Sequence, residues 1–358
     1  MAGNWLRNEL VYRRHPYTRE PASTAKPSIR SALDQLGGQE KDALIRALRT
    51  APARFLTSRL GEACPKHVMQ AVFPDAVNTA QQELEAALLL AASRAVDHLH
   101  CYPPASLREA PIFRSISPGT NYSATEVTLT ERALGPLLFQ LWPYAASGEV
   151  VHGVPGLRLH KHRRCVELSL VQCDTQASVI IKDVNSCTWK AALAYVDAEF
   201  GGWRGRIDCR AQDQPRLTRE EVGHLRAFPR VDYPATGSAL FRRHLALDRP
   251  YWFRVWTADG AWKVERPSDV EASADALVFL NPVFGLKTAI QTELVGSYAY
   301  LAEQTRSSAA NSDGIRVQLR RREPPGELDR SMVPRLSGND PWSAWSAIKM
   351  SSRPGSAS

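Results

Sequence analysis

The sequence predicts an α+β fold. A helical part over about residues 28–102 packs with a strand-rich part over about 120–285 and a closing helix, and flexible basic ends flank both. Three observations predict it. Apolar residues recur at spacings of three and four up to residue 100, and after about residue 120 the period shortens toward two. Outside residues 30–305 the chain is rich in Pro, Ser and Arg and shows neither period. The divisions are therefore a disordered basic arm (1–30), a helical region (31–115), a mixed, strand-rich region (116–305) and a flexible Pro/Ser/Arg tail (306–358).

Ser28 caps a short helix over Ile29 to Leu36, which Gly37-Gly38 ends. Residues 39–50 place Leu44, Ala47 and Leu48 on one helical face, and Pro52 breaks the pattern before a further turn over Arg54 to Leu60. The longest helix runs from Ala76 to His100, with Leu84, Leu88, Ala91, Ala95 and Leu99 in helical register. Its middle, Ala86 to Ala92, is apolar all round, the pattern of a helix buried by its neighbours. Pro103-Pro104 stops it.

Alternation then marks strands. Thr125 to Thr130 is one. Arg164 to Val171 and Ser178 to Lys182 form a hairpin across a turn at Asp174 to Ala177. A second hairpin joins Tyr251–Trp256 to Ala261–Val264 across Asp259-Gly260. Thr218-x-x-Glu221 is a capping box before a short helix to Phe228. Leu277 to Leu280 reads as an apolar strand and Thr288 to Thr305 as the closing helix.

The chain carries 45 basic and 37 acidic residues, and the surplus is uneven. Residues 1–30 hold six basic and two acidic side chains, and residues 306–358 hold nine and five. The 275 residues between are neutral, so the whole +8 sits on the two ends. A neutral body with two cationic ends suits a protein that gathers phosphate backbone around itself. Arg outnumbers Lys, and its planar fork matches phosphate oxygens.

Several motifs bear on chemistry. Cys64-x-x-His67 with His98-x-x-Cys101 would need opposite ends of a long helix to meet. His160-x-His162-x-x-Cys165 with Cys173 would need residues too far apart along a strand. Phe284 to Thr288 lacks the first glycine of a phosphate loop. Asp197-x-Glu199 would share one strand face and, with Asp208, could hold a divalent metal for chemistry on nucleic acid. Neighbouring arginines are their simpler partners.

The leading expectation is a non-enzymatic protein of viral coat or nucleocapsid type, which self-associates into a homo-oligomer and packages genome through basic arms. Its nucleic-acid contacts are Arg7, Arg13, Arg14, Arg19, Lys26 and Arg30 in the arm and Arg320, Arg321 and Arg322 in the tail. Trp252, Arg254 and Trp256 add an exposed strand face on which unpaired bases stack. RNA is placed ahead of DNA. The alternatives are an RNA-binding accessory protein that forms no shell and a metal-dependent enzyme acting on nucleic acid. No cofactor, catalytic residue or metal ligand is assigned. The longest apolar stretch is seven residues, too short for a membrane span. The polar N-terminus points away from secretion, and six cysteines without a leader point to a reducing compartment. A virion or the cytoplasm is the expected location.

Overall fold

Five helices precede the first strand: α1 (Ala2–Thr18), α2 (Ala22–Asp34), α3 (Gly38–Thr50), α4 (Lys66–Val72) and α5 (Thr79–Cys101). The computed structural model describes residues 2–50, 64–101, 111–118, 124–146, 149–171, 177–201, 206–210, 212, 215–227, 231, 233–246, 252–258, 261–266, 291–295, 298–302, 316–321 and 340–351. Helices α1 to α4 enclose a small core of their own, built from Leu6, Leu10, Ile29, Leu33, Leu44, Leu48, Val68 and Val72.

The N-terminal segment is therefore a folded helix and not an arm. Leu6, Leu10 and Tyr17 are buried, and so are Arg13 and Arg14. Arg13 pairs with Glu9 at 2.7 Å and donates to the Leu48 carbonyl at 3.0 Å, tying α1 to α3. Arg14 pairs with Glu20 and donates to the Ala71 carbonyl at 2.5 Å, tying α1 to the end of α4. Both arginines add their aliphatic stems to the buried face while their heads are satisfied by an acid and a carbonyl. A hydropathy pattern counts them as polar, which is why the period was hidden. Helix α2 also starts six residues before Ser28, whose hydroxyl bonds back to Ala25 at 3.0 Å inside the helix instead of capping it.

The main body follows. Its first sheet has the order β1-β2-β7-β6-β5, from β1 (Phe113–Pro118), β2 (Ala124–Leu129), β5 (Leu157–Lys161), β6 (Val166–Leu170) and β7 (Ser178–Lys182). The β6–β7 pair is the predicted hairpin, with Leu168 opposite Val179, and β2 joins β7 in parallel. Strands β3 (Tyr144–Ala146) and β4 (Glu149–His152) form a small separate pair. Helices α6 (Leu134–Leu141), α7 (Ser186–Phe200), α8 (Arg219–Ala227) and α9 (Pro234–Arg243) surround them. Helix α5 is central, and all of Ala86 to Ala92 except the half-buried Leu90 is buried. Gly237 on α9 permits the close approach: a Cβ there would stand 2.6 Å from that of Ala86 and 2.3 Å from the Trp262 ring.

A second sheet has the order β10-β11-β12-β9-β8, from β8 (Arg254–Ala258), β9 (Ala261–Arg266), β10 (Gln291–Val295), β11 (Tyr298–Ala302) and β12 (Arg316–Arg321). The expected second hairpin is present as β8–β9, but its first strand starts at Arg254, three residues later than expected. The closing helix expected over Thr288–Thr305 is replaced by the β10–β11 hairpin, with Gln291 opposite Ala302. The expected flexible tail contributes β12, paired in parallel with β9, and a terminal helix α10 (Pro341–Ser351). Trp342 and Trp345 of α10 are buried on the body, and Trp342 meets the Tyr195 ring at 4.9 Å. The turns at 174–176 and 259–260, the Arg54–Leu60 turn, Pro103-Pro104, the 277–280 strand and the 284–288 loop lie outside the described residues.

Two ion pairs inside the core are tightly hydrogen-bonded. Glu85 on α5 accepts from Thr125 at 2.5 Å, Ser238 at 2.6 Å and Arg242 at 2.7 and 2.5 Å. Arg242 also donates to Thr125 at 2.9 Å and to the Pro74 carbonyl. One ion pair thus clamps α5, β2 and α9. Burial would raise the Glu85 carboxyl, but the Arg242 charge and these hydrogen bonds hold it below the ordinary carboxylate range. The capping box is present, with Thr218 N to Glu221 at 2.9 Å and Glu221 N to the Thr218 hydroxyl at 3.2 Å. Glu221 also accepts both guanidinium arms of buried Arg158 at 3.0 Å, so the cap doubles as a core ion pair.

His152 supplies a pH dependence. Its ring lies 5.1 Å from Tyr144 and 5.3 Å from Phe139. Burial, then the nearby Arg94 and His98, push it down from 6.5 to about 4. The unfolded chain therefore binds a proton that the folded chain refuses between those values. Stability is full above about pH 6.5 and falls by roughly 2–3 kcal/mol as the pH drops to about 4. Urea unfolding at pH 7 and pH 4.5 measures this, and His152→Phe is expected to flatten the difference.

Candidate nucleic-acid interface

At 100° per residue, α1 sets Trp5, Asn8, Tyr12 and His15 on one stripe opposite its buried face, and all four are exposed; Arg19, also exposed, follows the helix end with φ 50°. Trp5 is 39% and Tyr12 59% exposed, unusual for rings of this size on one helix. The Arg49 guanidinium of α3 stands over the Trp5 ring, 5.6 Å from its centroid. This stripe therefore offers two exposed aromatic rings, with a cation beside that of Trp5.

The α1–α2 flank carries the groove. Arg7, Lys26, Pro27, Arg30, Ser31, Asp34 and Gln35 line a space of about 520 Å³. The two acids of the first 30 residues, Glu9 and Glu20, are occupied by Arg13 and Arg14. The remaining cations are Arg7, Arg19, Lys26 and Arg30, and three of these four meet in the groove. Arg7 donates to the Asn4 side chain, and its Nε is buried without a partner. Arg30 faces Asp34 at 3.8 Å with both side chains about 70% exposed, a pairing of little strength.

The other residues expected at the interface are placed differently. Arg13 and Arg14 are internal ties, as described above. Trp252 precedes β8 and is fully buried, so it shares no exposed face with Arg254 and Trp256. Phe253 and Val255 are core, as their alternation required, but Trp252 turns inward because the strand begins only at Arg254. Arg254 pairs with Asp97 of α5 at 3.2 Å, and Trp256 is 38% exposed. Arg320 and Arg321 stand in β12 opposite Glu265 and Arg266 of β9, while Arg322 lies outside the described residues.

The acidic trio also separates. Asp197 and Glu199 lie on helix α7, not on a strand, so two residues turn them to opposite sides. Asp197 faces outward to Arg206 at 2.5 Å. Glu199 faces inward, accepts from the Tyr195 hydroxyl at 3.1 Å and lies 3.3 Å from His98 Nδ1. Asp208 is held by Arg210, whose hydrogen bonds keep its carboxyl below the ordinary range. Cys64 is buried and its thiol is pushed up to about 12 by that burial, while the rings of His160 and His162 lie 4.3 Å apart. Among the described residues no group of three or more His, Cys, Asp and Glu side chains is arranged to hold a metal ion.

No family model, curated protein or solved structure matches the chain. No described helix is long and apolar enough to cross a membrane.

The one signal of the α1 stripe in the sequence is the seven-residue, helical spacing of Trp5 and Tyr12.

Proposed function

We propose that the protein binds single-stranded nucleic acid through its N-terminal helical bundle. Bases stack on Trp5 and Tyr12, and phosphates run past Arg49 and Arg19 and into the Arg7–Lys26–Arg30 groove. The observation that carries this reading is the Arg49 guanidinium over an exposed Trp5, on the same stripe as an exposed Tyr12. Stacking is sequence-tolerant and contributes about 1–3 kcal/mol per base, and the cations supply a salt-dependent, sequence-independent attraction. In this reading the cations sit on a folded face instead of a loose arm, and RNA stays ahead of DNA. A packaging protein of coat or nucleoprotein type and an accessory factor that forms no shell would both use this face. Light scattering with the 260/280 nm absorbance ratio separates them, because only the first forms large particles with nucleic acid.

The test is binding of a labelled single-stranded RNA by the parent and by the Trp5→Ala/Tyr12→Ala variant. Both rings are already exposed, so the fold is expected to survive their removal. The variant is expected to bind at least tenfold more weakly with its salt dependence intact. Equal binding by parent and variant contradicts the reading.

A further inference from the structure

A second cleft, on the body and away from the α1–α3 face, has the lining of a ligand site. It encloses about 460 Å³, within the roughly 300–1,000 Å³ usual for small-molecule pockets. Trp189, Leu193 and Asp197 recur every four residues along α7 and form one wall, with Trp189 and Leu193 only partly buried. His160 and Lys161 of β5 form another. Trp142 closes the inner end, fixed by its Nε1 bond to the Ile207 carbonyl at 2.7 Å and covered by Arg206 at 4.8 Å.

The rim alternates donors and acceptors. Arg206 pairs with Asp197, and Arg210 pairs with Asp208 through both Nε at 3.2 Å and Nη2 at 2.9 Å. These pairs are partly exposed, so opening either toward a ligand costs little. Once opened from each other, a carboxylate and a neighbouring guanidinium present two acceptors next to two donors. Among the nucleobases guanine matches this best, since its O6 and N7 accept and its N1–H and N2–H₂ donate.

We propose that this cleft binds a guanine base, with Trp189 as the stacking face and the Asp208–Arg210 pair reading its edge. The base is that of a free nucleotide or an unstacked base of a single strand. The proposal goes beyond the N-terminal interface and does not depend on it.

The test is calorimetric titration of the full-length protein with GMP, AMP, CMP and UMP, and with ribose 5-phosphate as the base-free control. GMP is expected to bind saturably and at least tenfold more tightly than the other nucleotides, with no binding of the control. Trp189→Ala is expected to weaken GMP at least tenfold. Asp208→Asn, a nearly isosteric change at a partly exposed position, is expected to abolish the preference over AMP with far-UV circular dichroism unchanged. The Trp5→Ala/Tyr12→Ala variant is expected to bind GMP as the parent does, which keeps the two sites distinguishable. Displacement of GMP by a guanine-containing single strand assigns the base to a strand, and its absence assigns it to a free nucleotide. No saturable GMP binding up to millimolar concentration, equal binding of all four nucleotides, or binding of ribose 5-phosphate as strong as GMP overturns the proposal.

Discussion

Replacing Arg242 with alanine is expected to destabilise the protein by about 3–5 kcal/mol, because it leaves the Glu85 carboxylate buried without its counter-charge. Glu85 is completely buried, and Arg242 supplies two of its hydrogen bonds as well as its only ion pair among the described residues. The loss reaches three elements at once, since Ser238 and Thr125 bond to the same carboxylate from α9 and β2. Removing both charges with Glu85→Gln/Arg242→Met is expected to cost less than Arg242→Ala alone, since no unpaired charge remains. Urea denaturation followed by tryptophan fluorescence measures both. A loss below about 1 kcal/mol for Arg242→Ala would mean that water reaches this carboxylate, contrary to its burial.

The second large effect concerns the C-terminal helix. Trp345 is 2% exposed, and Trp342 packs on Tyr195 with the Arg132 guanidinium 5.8 Å from its ring. Lys349 pairs with Glu131 farther along α10. Trp345→Ala removes a buried indole, a change that costs about 3–5 kcal/mol in a core. Because α10 is one short element, that cost is expected to be spent on local release more than on global unfolding. Trypsin is therefore expected to cut after Lys349 at least tenfold faster in the variant than in the parent. Equally rapid cutting of the parent would restore the flexible tail that composition suggested.

Most elements whose cause is local were legible in the sequence. The apolar run Ala86–Ala92, the Thr218–Glu221 capping box and two hairpins all declare themselves within twenty or so residues, whereas the equally local β10–β11 hairpin carries a helix-like pattern. Three further features were not legible, each for a physical reason. Helix α1 buries Arg13 and Arg14, whose carbonyl partners are brought from α3 and the end of α4. Strand β12 pairs in parallel with β9 some fifty residues earlier, a contact that no local pattern encodes. Helix α10 lies among Pro, Ser and Arg, so that the spacing of Trp342, Trp345 and Ile348 was outweighed by composition. The site followed the same division. Charge in the sequence points to Arg7, Lys26 and Arg30, which line one groove, whereas alternation misplaces Trp252, which precedes the strand and is buried.

The proposed engagement of the phosphate backbone by the folded N-terminal face is tested by the dependence of single-stranded RNA affinity on salt, for the parent and for Arg7→Ala/Lys26→Ala/Arg30→Ala. Each phosphate contact on a single strand contributes roughly 0.7 to the log–log slope, so the variant is expected to be shallower by about 2. An unchanged slope, with affinity retained, would contradict the account.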